Sequence, residues 1–323
     1  VINSIKNSFL PETEYSVFVD VRRNLERLAP LLNADCIKIM HLDTAHILFH
    51  NAAECRRLLE LQQRKGVTLR PRRFEVPNLG IEHADCATTT GNSLTISTFK
   101  YANKPIYRLP IAATVNCPWP EEKDWEACKR RFLWFSSGGL VHKGLDLALD
   151  AFAEMPEYHL TICAPVDQEK DFEHAYHKEL YETPNIHTIG WVDTSNSRFT
   201  EITNNCVGVI LLSCSEGASA SSVNCMHTGL VPILTYECAL DIDDFGFLLR
   251  DCSVENIKNS VHRIVNFPTQ ELKERARRAW EFARANHTRE KFAEVYRNVI
   301  TKILATHRHK NEVETGILTD GAF

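Results

Sequence analysis

Five short apolar runs in the second half of the chain, each closed by small or polar residues, dominate its hydrophobic pattern: 131–135, 158–163, 186–189, 207–212 and 230–235. Each has the length and composition of a buried strand. Between the first two, Leu145, Ala148, Leu149 and Phe152 recur at the spacing of an amphipathic helix. Further helical stretches are expected around Thr200 and after Ser221. Strands alternating with helices of about 10–15 residues predict a parallel sheet with crossover helices. Ligands of such sheets bind at the carboxyl ends of the strands. The turns at 136–143, 164–166, 190–192 and 213–222 all follow strands and are expected to meet along one edge.

The flanking regions carry other patterns. Residues 36–40 read as a strand and 51–65 as a helix, with Leu58, Leu59 and Leu61 set among charges. Residues 85–98 have room for two short strands, and 105–110 for another, ahead of a Pro-rich segment that starts at Asn116. Proline and charge clusters favour exposed linkers, which puts a domain boundary after 116. Three amphipathic helices are predicted near the C-terminus. Ile257, Val261, Ile264 and Val265 share one face, Leu272, Ala276, Ala279 and Ala283 a second, and Phe292, Val295, Tyr296, Val299 and Ile303 a third. Beyond these helices the composition turns polar, and a loosely ordered tail over 307–323 is expected.

Composition narrows the class. With 44% hydrophobic and 24% charged residues the chain is an ordinary globular protein, and 323 residues fit two domains. A net charge of −5 leaves no domain-wide basic surface for nucleic acid. No apolar run approaches the roughly 20 residues that span a bilayer, so no transmembrane segment is expected. The chain opens on Val1, which deprives the lack of a leader sequence of weight. Eleven cysteines are scattered without any C-x-x-C spacing. Reduced, mostly buried thiols in a cytoplasmic protein are the expected reading.

The chemistry concentrates at 213–234. There an apolar run ends in a small polar turn carrying one carboxylate, Glu216, followed by a helix-like segment and Gly229. A helix start approached by small residues presents free N–H groups and the positive end of the helix dipole. Ala218, Ser219, Ala220, Ser221 and Ser222 therefore form a candidate phosphate cradle, and Glu216 suits the hydroxyls of a sugar. The same serines serve equally well as helix caps. Lys143 follows a strand and the turn at Gly138 and Gly139, so its ammonium can reach an anion at the strand ends. A merely structural lysine is disfavoured at a helix start.

Four segments, in this order, resemble the donor-binding domain of retaining GT-B glycosyltransferases of the glycosyltransferase group 1 family. They are Gly139-Leu-Val-His-Lys-Gly-Leu-Asp-Leu147, Asn185-Ile-His-Thr-Ile-Gly-Trp-Val192, Ser213-Cys-Ser-Glu-Gly217 and Met226-His-Thr-Gly-Leu-Val-Pro-Ile233. The resemblance covers residues 130–285 and implies an α/β GT-B fold, with two Rossmann-like domains whose parallel sheets face a cleft. Residues 1–116 would be an acceptor-side domain shortened at its start, 117–285 the nucleotide-sugar donor domain, and 286–306 a helix that crosses back. The implied reaction moves a sugar from a nucleoside-diphosphate donor to a saccharide- or glycolipid-type acceptor, with retention at the anomeric carbon and without cofactor or metal. Lys143 and the amides of 218–222 would stabilise the departing diphosphate, Glu216 would orient the sugar, and Val192 would border the nucleobase.

Two positions depart from the family pattern. Asn224 stands where a second acid is usual and can still bond ribose hydroxyls. Only Ser137, Gly138 and Gly139 fill the region where an arginine usually precedes the lysine. These departures motivate two alternatives on the same fold: a non-catalytic nucleotide-sugar-binding or scaffold protein, and a nucleotide-sugar epimerase. Trp191 reads more readily as a core aromatic than as a platform for a base. His41, Asp43 and His46, after a strand end that faces the cleft, are acceptor-side candidates, with helix capping by Asp43 and packed imidazoles as the equal alternative. His46 and His50 are one helical turn apart but lack the intervening glutamate of H-E-x-x-H, so no metal site is expected.

Overall fold

The computed structural model describes residues 9–21 and 24–314. The first half forms a four-stranded parallel sheet in the order β1-β2-β3-β4, from β1 (Val17–Asp20), β2 (Ile37–Leu42), β3 (Cys86–Thr89) and β4 (Ile106–Arg108). The five apolar runs of the second half become β5 (Arg131–Phe135), β6 (His159–Cys163), β7 (Ile186–Thr188), β8 (Gly208–Leu211) and β9 (Val231–Thr235). With β10 (Phe247–Leu249) they make a six-stranded sheet in the order β10-β9-β8-β5-β6-β7. Every pairing in both sheets is parallel. Strands β8 and β9 are buried along their whole length because helices cover both faces of the sheet, which is why they read as unbroken apolar runs.

In the second sheet the chain runs outward in one direction through β5, β6 and β7, then returns to place β8, β9 and β10 on the other side. The order reverses between β5 and β8, which pair at Phe132↔Gly208 and Leu133↔Val209. A crevice opens at such a reversal, between loops that leave in opposite directions.

Three differences from the sequence pattern have local causes. Residues 85–98 hold one strand, β3, and then the helix Ser93–Thr98 rather than two strands. The Asn92 side chain accepts from the Leu94 amide and starts the helix, overriding the β-branched residues that follow. Strands β1 and β10, each at a sheet edge, are too short to give a periodic signal. The C-terminal helix Arg289–Glu314 runs past 306 into the segment expected to be loose, while the rest of that tail, 315–323, lies outside the described residues.

The helix Ile47–Lys65 lies against the second sheet's unit although it belongs to the first half. Leu61 is buried in the core of that unit, and Arg64 Nη2 donates to Asp146 Oδ2 at 2.7 Å. Lys65 pairs with Glu179. In the other direction, Ile303 of the C-terminal helix packs with Ile37, Ile39 and Cys86 of the first sheet. The two crossings are stitched where the Ala113 amide donates to the His287 carbonyl and His287 Nδ1 bonds the Ile111 carbonyl, both at 2.9 Å. All eleven cysteines are free thiols, and most are buried.

Candidate active site

The two turns that flank the reversal carry the candidate chemistry. Lys143 follows β5 and Glu216 follows β8, and the fold brings Lys143 Nζ to 3.1 Å from Glu216 Oε1. Both side chains are nearly covered, at 10% and 14% exposure. Ser213 donates to the same carboxylate oxygen at 2.8 Å. Burial alone would push the Glu216 carboxyl up, but the Lys143 ammonium, His142 and the Ser213 hydroxyl more than offset it and hold the group below the ordinary glutamate range. Glu216 is therefore an ionised acceptor at neutral pH.

His142 completes this corner and was not marked by its sequence context. Its Nε2 bonds the Ser215 carbonyl at 2.7 Å, and its ring lies 4.7 Å from that of His50. Burial drives its pKa down to about 4, against the opposing pull of Glu216, so the imidazole is neutral. His50 bonds the Ser215 hydroxyl through Nδ1 at 3.0 Å and the Arg73 carbonyl through Nε2 at 2.7 Å. The imidazole thus tethers the first half of the chain to the Glu216 turn.

Loops at the ends of β2 and β3 close over that turn. Thr90 donates to the Gly217 carbonyl at 3.1 Å, and Thr95 reaches the Glu216 carbonyl at 3.5 Å. A side chain on Gly217 would run into the backbone of Asp43 and Thr44, so glycine is required by the close approach of two backbones. Asp43 lies at this contact. His41 Nδ1 bonds Thr88 Oγ1 at 2.9 Å, and burial lowers its pKa and keeps it neutral. His46, rather than Asp43, caps the helix Ile47–Lys65 by accepting from the Leu48 amide, and its other nitrogen bonds the Tyr101 hydroxyl at 3.1 Å. His41, Asp43 and His46 line one small pocket on the first half of the chain. His46 and His50 point to different partners, and among the described residues no group of three or more His, Cys, Asp or Glu could hold a metal.

The remaining candidates are less open. At Gly138 and Gly139 an internal anion fills the turn: the buried Glu169 carboxylate accepts from the amides of Gly139 and Leu140. Gly139 has φ +87°, and Arg73 lies so close that its Cγ is 2.6 Å from where a Cβ would stand. Sequence gave no hint of Glu169 or Arg73, because each acts across a long chain separation. Ser219 caps the helix Ala220–Met226 by accepting from the Ser222 amide at 3.2 Å, and its hydroxyl also bonds those of Ser221 and Ser222. Ala218 and Ala220 flank that cap. Asn224 is buried and accepts from both the amide and the hydroxyl of Thr114, at 3.0 and 3.2 Å. Val192 is packed in a core with Leu133 and Phe199, whereas Trp191 is 64% exposed and is no core aromatic.

No protein-family model and no curated protein matches the chain. Solved structures do match. Sucrose-phosphate synthase from Thermosynechococcus elongatus aligns over 90% of this chain and 74% of its own, with TM-score 0.66 and 14% identity. WaaG, a glycosyltransferase involved in lipopolysaccharide biosynthesis, aligns over 82% and 77%, with TM-score 0.55 and 12% identity. An S. aureus TarM variant in complex with fondaparinux, α-GlcNAc-glycerol and UDP aligns over 82% of this chain, with TM-score 0.59 and 11% identity. The chain spans 51% of the length of that TarM chain. These neighbours are GT-B glycosyltransferases, and the fold, with two parallel sheets and covering helices, is of the GT-B type. No helix among the described residues is long and apolar enough to cross a membrane.

Proposed function

We propose that the chain is a retaining glycosyltransferase that moves a sugar from a nucleoside-diphosphate donor to a saccharide-type acceptor. The observation that carries this reading is the Lys143–Glu216 pair at the strand reversal of the second sheet, beneath loops of the first. Charge grows on the diphosphate as its bond to the sugar breaks, and a nearly buried ammonium stabilises that charge far better than water does. Lys143 supplies it, with the backbone at 218–222 as a second source of donors. Glu216, ionised and fixed by Ser213, accepts hydrogen bonds from the sugar and orients its anomeric carbon. The acceptor enters from the pocket of His41, Asp43 and His46, and the leaving phosphate takes its proton. Trp191, exposed beside Val192, borders the base.

A second reading rests on two observations. The Glu169 carboxylate occupies amides that a phosphate would use, and Asn224 is committed to Thr114. Both favour a protein that holds a nucleotide sugar, or another partner, without turning it over. Incubation of the protein with UDP-, GDP- and ADP-sugars separates the readings. Release of nucleoside diphosphate with sugar transfer or hydrolysis supports the transferase. Saturable binding without turnover supports the scaffold, and isomerised sugar without nucleotide release supports an epimerase. No binding of any donor would remove all three.

A further inference from the structure

The loop that leaves β3 holds one side chain in a fixed place. Gly91 is pinned at both backbone ends: its amide donates to Thr89 Oγ1 and its carbonyl accepts from Arg108 Nε, each at 3.1 Å. A side chain there would strike Thr95, so the loop has no slack. Before Asn92 in the chain, Thr90 donates to the Gly217 carbonyl at 3.1 Å. After it, Ser93 bonds the Tyr236 hydroxyl at 2.8 Å, and Thr95 reaches the Glu216 carbonyl. Asn92 therefore sits in the seam between the two halves of the chain, beside the Glu216 turn, and is fully covered.

Only half of its side chain is used. Asn92 Oδ1 accepts from the Leu94 amide at 3.0 Å. That bond identifies the oxygen, because a backbone N–H can only donate. The Nδ2 group is buried and has no hydrogen-bond partner. Capping needs the oxygen alone, and aspartate or serine would supply it equally well. A buried NH2 group without an acceptor is costly. Ser136, at the carboxyl end of β5, is likewise 4% exposed with its hydroxyl unpartnered. Both sheets thus bring an unused polar group to the edge that carries Lys143 and Glu216.

Glu216 is ionised and can only accept. A sugar hydroxyl that donates to such a carboxylate keeps its oxygen lone pairs for another donor. An NH2 group beside the Glu216 turn supplies one, where a second carboxylate would repel. We infer that Asn92 is a specificity-determining residue for the transferred sugar, its Nδ2 donating to a hydroxyl oxygen of the sugar that Glu216 holds. The inference rests on the nucleotide-sugar reading of this corner and adds to it a contact from the first half of the chain.

Calorimetric titration of the full chain with UDP-, GDP- and ADP-glucose and with the free diphosphates tests it. Asn92→Asp and Asn92→Ser both keep a capping oxygen and remove the NH2. For the pair of ligands that the wild type binds, both variants should weaken the sugar nucleotide about tenfold, the size of one hydrogen bond, and leave the free diphosphate within about twofold. Should the buried aspartate unfold the chain, the serine variant decides alone. Equal weakening of sugar nucleotide and diphosphate would show a purely structural role and overturns the inference. Sugar-nucleotide affinity unchanged by the substitutions overturns it as well, while the nucleotide-sugar reading survives. A wild type that binds no sugar nucleotide of the panel removes that reading and the inference with it.

Discussion

The turns after β5 and β8 leave adjacent strands of one sheet, and both bring small residues and backbone amides to its edge, yet they are finished differently. The turn at 136–143 is satisfied from within: Glu169 takes its free amides and Arg73 covers its glycine. The turn at 213–217 keeps an ionised carboxylate whose partners are a lysine and a serine at the same crevice. A backbone nest becomes a ligand site only if no tethered anion reaches it first. By that criterion the Lys143–Glu216 pair, rather than the glycine turn, is the chemically available part of the edge.

Removing the cation should separate the turns most strongly. Lys143→Met is expected to lower kcat/KM for donor turnover by about 10²–10³-fold, the size of losing one preorganised donor to a developing anion. It also leaves Glu216 with less opposing charge, so the carboxyl should titrate higher than in the wild type. Steady-state kinetics and carboxylate NMR measure the two effects. An unchanged rate would mean that the leaving group departs elsewhere.

The pH dependence of stability probes the same corner. His142 titrates at about 4 in the folded chain and near 6.5 when unfolded, so between those values the unfolded state binds more protons and stability falls as pH falls. The difference amounts to about 3 kcal/mol, fully present above pH 6.5 and lost by pH 4. Glu216, held below its ordinary range, adds a loss at still lower pH. Denaturant melts of His142→Gln should therefore be flatter across pH 6.5 to 4 than those of the wild type. Parallel curves would show that His142 is not buried as described.

Two milder changes test the closed turn and the helix beyond the open one. Glu169→Gln weakens an anionic acceptor of two amides and should destabilise the chain by roughly 1–2 kcal/mol. If phosphate uses that turn at all, the same variant binds nucleotide sugar several-fold more tightly. Unchanged affinity would place the diphosphate wholly on Lys143 and the backbone at 218–222. Asn224→Ala removes the Thr114 contacts and should lower stability by about 1 kcal/mol with donor affinity unaltered. A matching fall in affinity would return Asn224 to the ribose.

Much of the second sheet was legible because burial on both faces turns β8 and β9 into unbroken apolar runs and leaves β5 apolar after Arg131. The Lys143–Glu216 pair was legible as two separate candidates, each beside a turn, although sequence could not say that they touch. What escaped reading depends on contacts between distant residues. Glu169 meets Gly139, Arg73 covers it, and His50 reaches Ser215 across 165 positions of chain. The helix Ile47–Lys65 carries a pattern that is true of its own faces, but nothing local states that its apolar side will lie on the other unit. Trp191 shows the reverse error: an aromatic after an apolar run suggested burial, and it is exposed because Gly190, at φ +89°, turns the chain at the strand's end.

The most direct measurement is the rate at which nucleoside diphosphate is released from the best-bound nucleotide sugar, compared between the wild type and Glu216→Gln at equal folded fraction. If Glu216 orients the donor sugar, the wild type turns over and the glutamine variant loses about two orders of magnitude in kcat while still binding the nucleotide. Turnover that survives Glu216→Gln undiminished would contradict the assignment of this corner as the reacting centre.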